Sequence, residues 1–285
     1  MNQKPIYKTP AGEQAVMAFY DQVLAAWPQS TESLHLDTRH GRTHVLAQGP
    51  PEAHALVLLH GAGSNALAWG GDMPELARHF RVYAVETPGE PGRSCQKRIP
   101  WQGDAIVEWL GDVIDSLGPA HVSLAGISQG GYIALRFACA RPERVRALAL
   151  LAPAGVSSVR PGFLARAVVY SLAGRRGADA LGRNVMAGCD MPEVAAEFMS
   201  LIYTHFRSRM DPQPLVTDAA LQRLTMPVLL MAGTSDAIFD SAKTVARFER
   251  SVKGADIRLL QGVGHALIDV AAELVPFLAT ACVRG

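Results

Sequence analysis

Apolar residues first recur at helical spacing. Across 14–27, Ala15, Val16, Phe19, Tyr20, Val23, Leu24 and Trp27 share one face, and Pro28 ends the pattern. Two short alternating stretches follow, 34–38 and 43–48, with a turn signal at Gly41 between them. They predict a hairpin at the edge of a sheet. From Ala55 the rhythm changes to continuous apolar runs at 55–59, 81–87, 122–127, 147–152 and 228–232, the signature of strands buried on both faces. Helical periodicity fills the gaps at 73–79, 105–117, 130–140 and 241–252. A last strand at 256–260 and a helix at 270–282 complete the reading. Strands alternating with helices predict β-α-β units, hence an α/β protein with a mostly parallel sheet of about eight strands.

One stretch breaks the alternation. Residues 153–224 have helical but no strand character and are too long for an ordinary connection. They hold Met186, Met191, Met199 and Met210, with Phe163, Phe198, Tyr203 and Phe206. This segment is read as a helical insertion covering one end of the sheet, between core portions at 1–152 and 225–285. The alternative is that it merely extends the core.

The predicted strand at 122–127 runs into Gly126-Ile127-Ser128-Gln129-Gly130, and a helical pattern follows at once. A serine between two glycines at a strand-to-helix turn is held in a strained conformation, with its hydroxyl lifted to the end of the sheet. A serine nucleophile needs a base and a group to orient that base. Of nine histidines only His205 and His265 follow Ser128, and after such an elbow the acid and then the histidine come later in the chain. His205 lies in the helical insertion. His265 sits in a loop directly after the last strand, where it can swing over Ser128. The acid is sought after the strand at 228–232, where the chain offers Asp236 in the tight turn and Asp240 before a helix. Asp236 is taken as the orienter and Asp240 as a helix cap. His60-Gly61-Ala62-Gly63 follows the first buried strand, and its glycines let backbone N–H groups turn toward Ser128. The N–H groups of Ala62 and Gln129 are the expected oxyanion donors, with His60 buttressing the loop.

These motifs, in this order, resemble the α/β-hydrolase fold superfamily, in its serine-triad branch, from about Leu34 to the end of the chain. The layout with its N-terminal helix is similar to bacterial carboxylesterases. The resemblance implies an α/β-hydrolase fold with a helical cap after the sixth strand. It also implies an ester hydrolase with Ser128, Asp236 and His265 as its triad, working without a cofactor or metal. Trp69 matches a frequent aromatic that borders the pocket, though core packing explains it equally. One departure stands out. Where the superfamily carries D-x-x-G-x-G-x-S, this chain has Glu86-Thr87-Pro88-Gly89-Glu90-Pro91-Gly92-Arg93-Ser94, with Glu for Asp and one extra residue. Lactone, thioester or carbon–carbon bond hydrolysis, perhydrolysis, and a slow-turnover receptor are the competing readings.

Composition narrows the partners. Of 285 residues 49% are hydrophobic, enough for a sizeable core, and 27 basic against 26 acidic side chains leave a charge of +1. Nothing in that balance suggests a nucleic-acid groove or a polybasic membrane anchor, and the substrate that the resemblance implies is a small-molecule ester, apolar given the insertion's side chains. No run is long enough to span a bilayer, and the first residues lack a secretory pattern. Cys95, Cys139, Cys189 and Cys282 are scattered, with no paired spacing. Reduced thiols and a cytoplasmic location are the expectation.

Overall fold

The computed structural model describes residues 4–163, 165–166, 174–190 and 192–283. Helix α1 (Pro10–Ala25) begins under a Thr9 cap, whose side chain accepts the Gly12 N–H, with proline in its first turn. It precedes the hairpin β1 (Glu32–Thr38) and β2 (Gly41–Gln48). Strand β3 (Ala55–Leu59), the short helix α2 (Met73–Leu76) and β4 (Arg81–Val85) come next, then α3 (Ala105–Leu117), β5 (Val122–Ile127), α4 (Gln129–Ala140) and β6 (Val145–Leu151). Helices α5 (Gly174–Val185), α6 (Glu193–His205) and α7 (Asp218–Leu221) lie between β6 and β7 (Val228–Gly233). Helix α8 (Ser241–Ser251), β8 (Asp256–Leu260) and α9 (Ala271–Val283) finish the chain.

The eight strands form one sheet in the order β1-β2-β4-β3-β5-β6-β7-β8. Strands β1, β2 and β4 pair antiparallel, and every other pairing is parallel. Alternation within β3 shows why its run is unbroken. Val57 and Leu59 face a core built with Trp109 and Leu110 of α3 and Tyr132 and Leu135 of α4. Leu56 and Leu58 face the other core, with Trp69, Met73 and Leu274. Each face is roofed, so no polar position is tolerated.

A third, smaller cluster joins the two ends of the sequence's apolar pattern. Ile6, Tyr7 and Val16 pack with Ile202 and Phe206 of the segment between β6 and β7. Residues 6–8 also lie antiparallel to residues 205–207. The Lys8 N–H donates to the His205 carbonyl and the Arg207 N–H to the Ile6 carbonyl, both at 2.7 Å. Among the described residues, no helix is long and apolar enough to cross a membrane.

Candidate active site

Parallel strands aim their carboxyl ends at one edge of the sheet, and the loops that carry the candidate residues leave it there. The loop after β5 is the sharpest. Ser128 has φ 53° and ψ −110°, a conformation that L-residues rarely adopt. Two glycines make it possible. A Cβ at Gly126 would sit 2.4 Å from the Gly130 carbonyl oxygen, and one at Gly130 only 2.1 Å from that of Leu59. The turn is locked by the Ser128 N–H donating to the Leu151 carbonyl at 2.9 Å. Gln129 opens α4, so its N–H belongs to the first turn, where helical N–H groups have no intrahelical acceptor.

Loops after β7 and β8 supply the pair read from the sequence. His265 Nδ1 and Asp236 Oδ2 are 2.9 Å apart, and both side chains are buried. The second carboxylate oxygen, Oδ1, accepts the N–H groups of Ile238 at 2.7 Å and Phe239 at 3.0 Å. Burial by itself would raise the Asp236 pKa. The hydrogen bond and charge of His265, with those two N–H groups, outweigh it and hold the carboxyl below its ordinary value. The Phe239 ring lies 5.4 Å from the imidazole. Asp240 faces elsewhere and caps α8, its side chain accepting the Lys243 N–H. His205 ends α6 beneath α1, where a Cβ on Gly12 would meet its ring at 2.8 Å.

The loop after β3 approaches Ser128. A Cβ at Gly61 would lie 3.8 Å from that of Ser128, while Gly63 has φ +64° and Ile202 of α6 3.6 Å from its Cβ position. Buried His60 stands behind this loop. Its Nε2 accepts the Thr87 N–H at 3.0 Å, and its Nδ1 donates to the Gly61 carbonyl at 2.8 Å. Both ring nitrogens are thereby committed, and burial lowers the pKa, so the ring is a neutral strut. Trp69 lies wholly within the core on the α9 face.

The irregular loop after β4 turns around two buried carboxylates. Glu86 Oε2 accepts the N–H groups of Arg93 at 2.6 Å and Ser94 at 3.3 Å, and lies 3.4 Å from His44 Nδ1. Burial pushes its pKa up, but hydrogen bonds and charge from His44, Tyr20 and Arg93 bring it below the ordinary value. Glu90 is the second of these carboxylates. Its Oε2 accepts the Gly63 N–H at 2.7 Å, and its Oε1 accepts from Gln129 Nε2 at 3.0 Å. Sequence reasoning passed over Glu90, although the departure from the superfamily pattern marked the place.

The segment between β6 and β7 touches this edge with backbone as much as side chain. The N–H groups of His265 and Ala266 both donate to the Val185 carbonyl, at 2.9 and 3.0 Å, and Gly264 donates to Ala187. Nothing in composition foretells such contacts, because any residue can make them. Met186 is buried, whereas Met210 is 86% exposed. Its neighbour Phe206 turns inward instead, packing edge-on against Tyr7. Met191 lies outside the described residues.

Comparison with known proteins shows the family and the fold. Carboxylesterase YbfK of Bacillus subtilis is 32% identical over 265 residues, covering 87% of this chain and 86% of its own length. The crystal structure of carboxylesterase CesB (YbfK) from Bacillus subtilis superposes with a TM-score of 0.83 at 28% identity, covering 95% of this chain and 99% of that one. Naproxen esterase (carboxylesterase NP) from the same organism shares the fold, with a TM-score of 0.82 at 24% identity, over 97% of this chain and 99% of that one. Residues 56–277 match the alpha/beta hydrolase family, and it is to this family that the chain belongs.

Proposed function

We propose that the chain is a carboxylesterase acting through an acyl-enzyme on Ser128, with the insertion at 153–224 as its cap. The observation carrying this reading is the buried 2.9 Å contact between His265 and Asp236, at the sheet edge where Ser128 is held with positive φ. In the proposed mechanism Ser128 Oγ attacks the ester carbonyl while His265 Nε2 takes its proton. Asp236 holds Nδ1–H, keeping the useful tautomer and stabilising the imidazolium. The N–H groups of Ala62 and Gln129 receive the negative charge developing on the carbonyl oxygen. His265 then returns the proton to the leaving alcohol and activates water to release the acid.

Apolar esters are the favoured substrates in this reading, supported by Ile202 of α6 lying against Gly63 of the oxyanion loop. A cytoplasmic setting is part of the proposal, supported by free Cys95, Cys139 and Cys189. The test is a fluorophosphonate probe followed by peptide mass spectrometry, alongside p-nitrophenyl ester turnover. An adduct on Ser128 together with repeated rapid cycles supports the reading. An adduct on another residue, or a single slow event per protein molecule, overturns it.

A further inference from the structure

The geometry points to Glu90 as the residue that positions the oxyanion hole: one buried carboxylate ties the loop after β3 to the residue that follows the nucleophile. This inference rests on the esterase reading above. Its footing is the pair of contacts that Glu90 makes. One oxygen holds the N–H of Gly63, next in the chain to Ala62. The other holds the side chain of Gln129, whose own N–H is the second proposed donor. The two oxyanion donors come from separate segments, and Glu90 bonds to the neighbour of one, Gly63, and to the side chain of the other, Gln129.

The need for such a bridge is physical. The 60–63 loop carries two glycines, one of them at φ +64°, so beyond the hydrogen bond from His60 Nδ1 to the Gly61 carbonyl its peptide planes are weakly restrained. An oxyanion hole works only if its donors are aimed before charge develops. Fixing the Gly63 N–H fixes the peptide between Ala62 and Gly63 and thereby limits the orientation of the one before it. The Gln129 side chain is held from the far side too, its Oε1 accepting from Gln213 Nε2 at 3.4 Å. Glu90 is 4% exposed. Burial drives its pKa up, opposed by its two donors and by the charges of Arg98 and Arg209.

The side-chain chemistry sets the test. In Glu90→Ala both donors lose their acceptor. In Glu90→Gln the carbonyl still accepts from Gly63, while the new amide can donate to Gln129 once the Gln129 amide flips, so the bridge survives without charge. Glu90→Asp is one methylene short and reaches one partner. Gln129→Met removes one arm and leaves the backbone N–H of residue 129 in place. The readouts are kcat, KM and the inhibition constant of a trifluoromethyl ketone, whose adduct mimics the oxyanion, with Tm as a control on folding. Glu90→Ala should lower kcat by about 10²-fold with KM changed less than about twofold, the size of effect seen on losing one oxyanion donor. The ketone should weaken in parallel with kcat/KM. Glu90→Gln should recover to within about fivefold of wild type, and Glu90→Asp and Gln129→Met should fall between, near tenfold. If Glu90→Ala does not fold, the Asp and Met variants carry the test. A loss confined to KM or Tm, with kcat and ketone affinity intact, overturns the inference. Failure of the esterase reading shows differently, as absence of ester turnover in the wild type or its survival in Ser128→Ala.

Discussion

The core loops and the segment between β6 and β7 hold their side chains in place by different means. In the core loops, position is imposed through the backbone. Ser128 is forced into positive φ because Gly126 and Gly130 let main chains approach where a Cβ would collide. Asp236 is fixed by N–H groups from the residues just after it. The insertion is tethered at scattered points: residues 185–187 to the His265 loop, Phe206 to Tyr7, Arg209 stacked 3.8 Å over Trp101, and Trp101 Nε1 donating to the Asp211 carbonyl. Backbone constraints tolerate little substitution and suit chemistry, which fails with small displacements. Scattered tethers, part backbone and part side chain, can be exchanged singly, which suits the specificity role proposed for the insertion.

The sharpest way to break that contrast is Ser128→Ala. Turnover of a p-nitrophenyl ester should fall by about 10⁴-fold or more with Tm preserved, since the hydroxyl serves chemistry and not packing. Near-normal turnover would remove the nucleophile from the core loops altogether. Next come two neighbouring aspartates. Asp236→Asn should cut kcat by roughly 10³–10⁴-fold by favouring the wrong imidazole tautomer, while Asp240→Asn keeps a capping oxygen for the Lys243 N–H and should change neither stability nor activity much. The reverse ranking in steady-state kinetics would show that position in the turn does not decide the role.

Substitutions in the insertion should shift preference and spare the chemistry. Ile202→Ala, next to Gly63, should change kcat/KM for longer acyl chains by about three- to tenfold relative to acetate, as expected for one or two methylenes of contact. Met210→Ala, at an exposed position, should leave the chain-length series unchanged. Equal effects from the two would argue against a specificity wall at Ile202.

The smallest effect concerns a core carboxylate remote from the reaction. Asp72 is buried and accepts the Ala271 N–H at 2.7 Å at the start of α9. Burial, with Asp269 nearby, raises its pKa to about 6. A carboxyl whose folded pKa lies above its unfolded value binds its proton more tightly when folded, so stability falls as pH rises from about 4 through 6. Between pH 4 and 7.5 the wild type should lose on the order of 2 kcal/mol that Asp72→Asn does not lose, at unchanged kcat. Parallel stability–pH curves for the two proteins would refute it.

Legibility in the sequence follows the same division. The buried strands declared themselves because burial on both faces leaves no polar alternation, as in β3 and β7. The elbow was visible because its sterics demand glycine at fixed offsets, and the Asp236–His265 contact because each residue stands just beyond a strand end. Helix ends were displaced by a few residues: α1 starts at Pro10, before its apolar face begins, because Thr9 and Pro10 set the boundary. Glu90 was not legible, since its two partners lie 27 and 39 positions away and no local pattern encodes that distance. The exposure of Met210 was hidden for a related reason. Methionine suits both a pocket and a surface, so its presence in the sequence does not say which it occupies.

The pairing of residues 6–8 with residues 205–207 also has a consequence for biosynthesis. During translation the first segment emerges roughly 200 residues ahead of its partner, a gap of roughly 10–40 s at about 5–20 residues per second. Helix α1, whose Val16 and Phe19 are buried in the finished protein, spends that interval without the Ile202–Phe206 part of the surface it covers, while its Tyr20 face can already meet His44 and Arg93. Seating of residues 6–8 therefore waits on synthesis of residues 205–207.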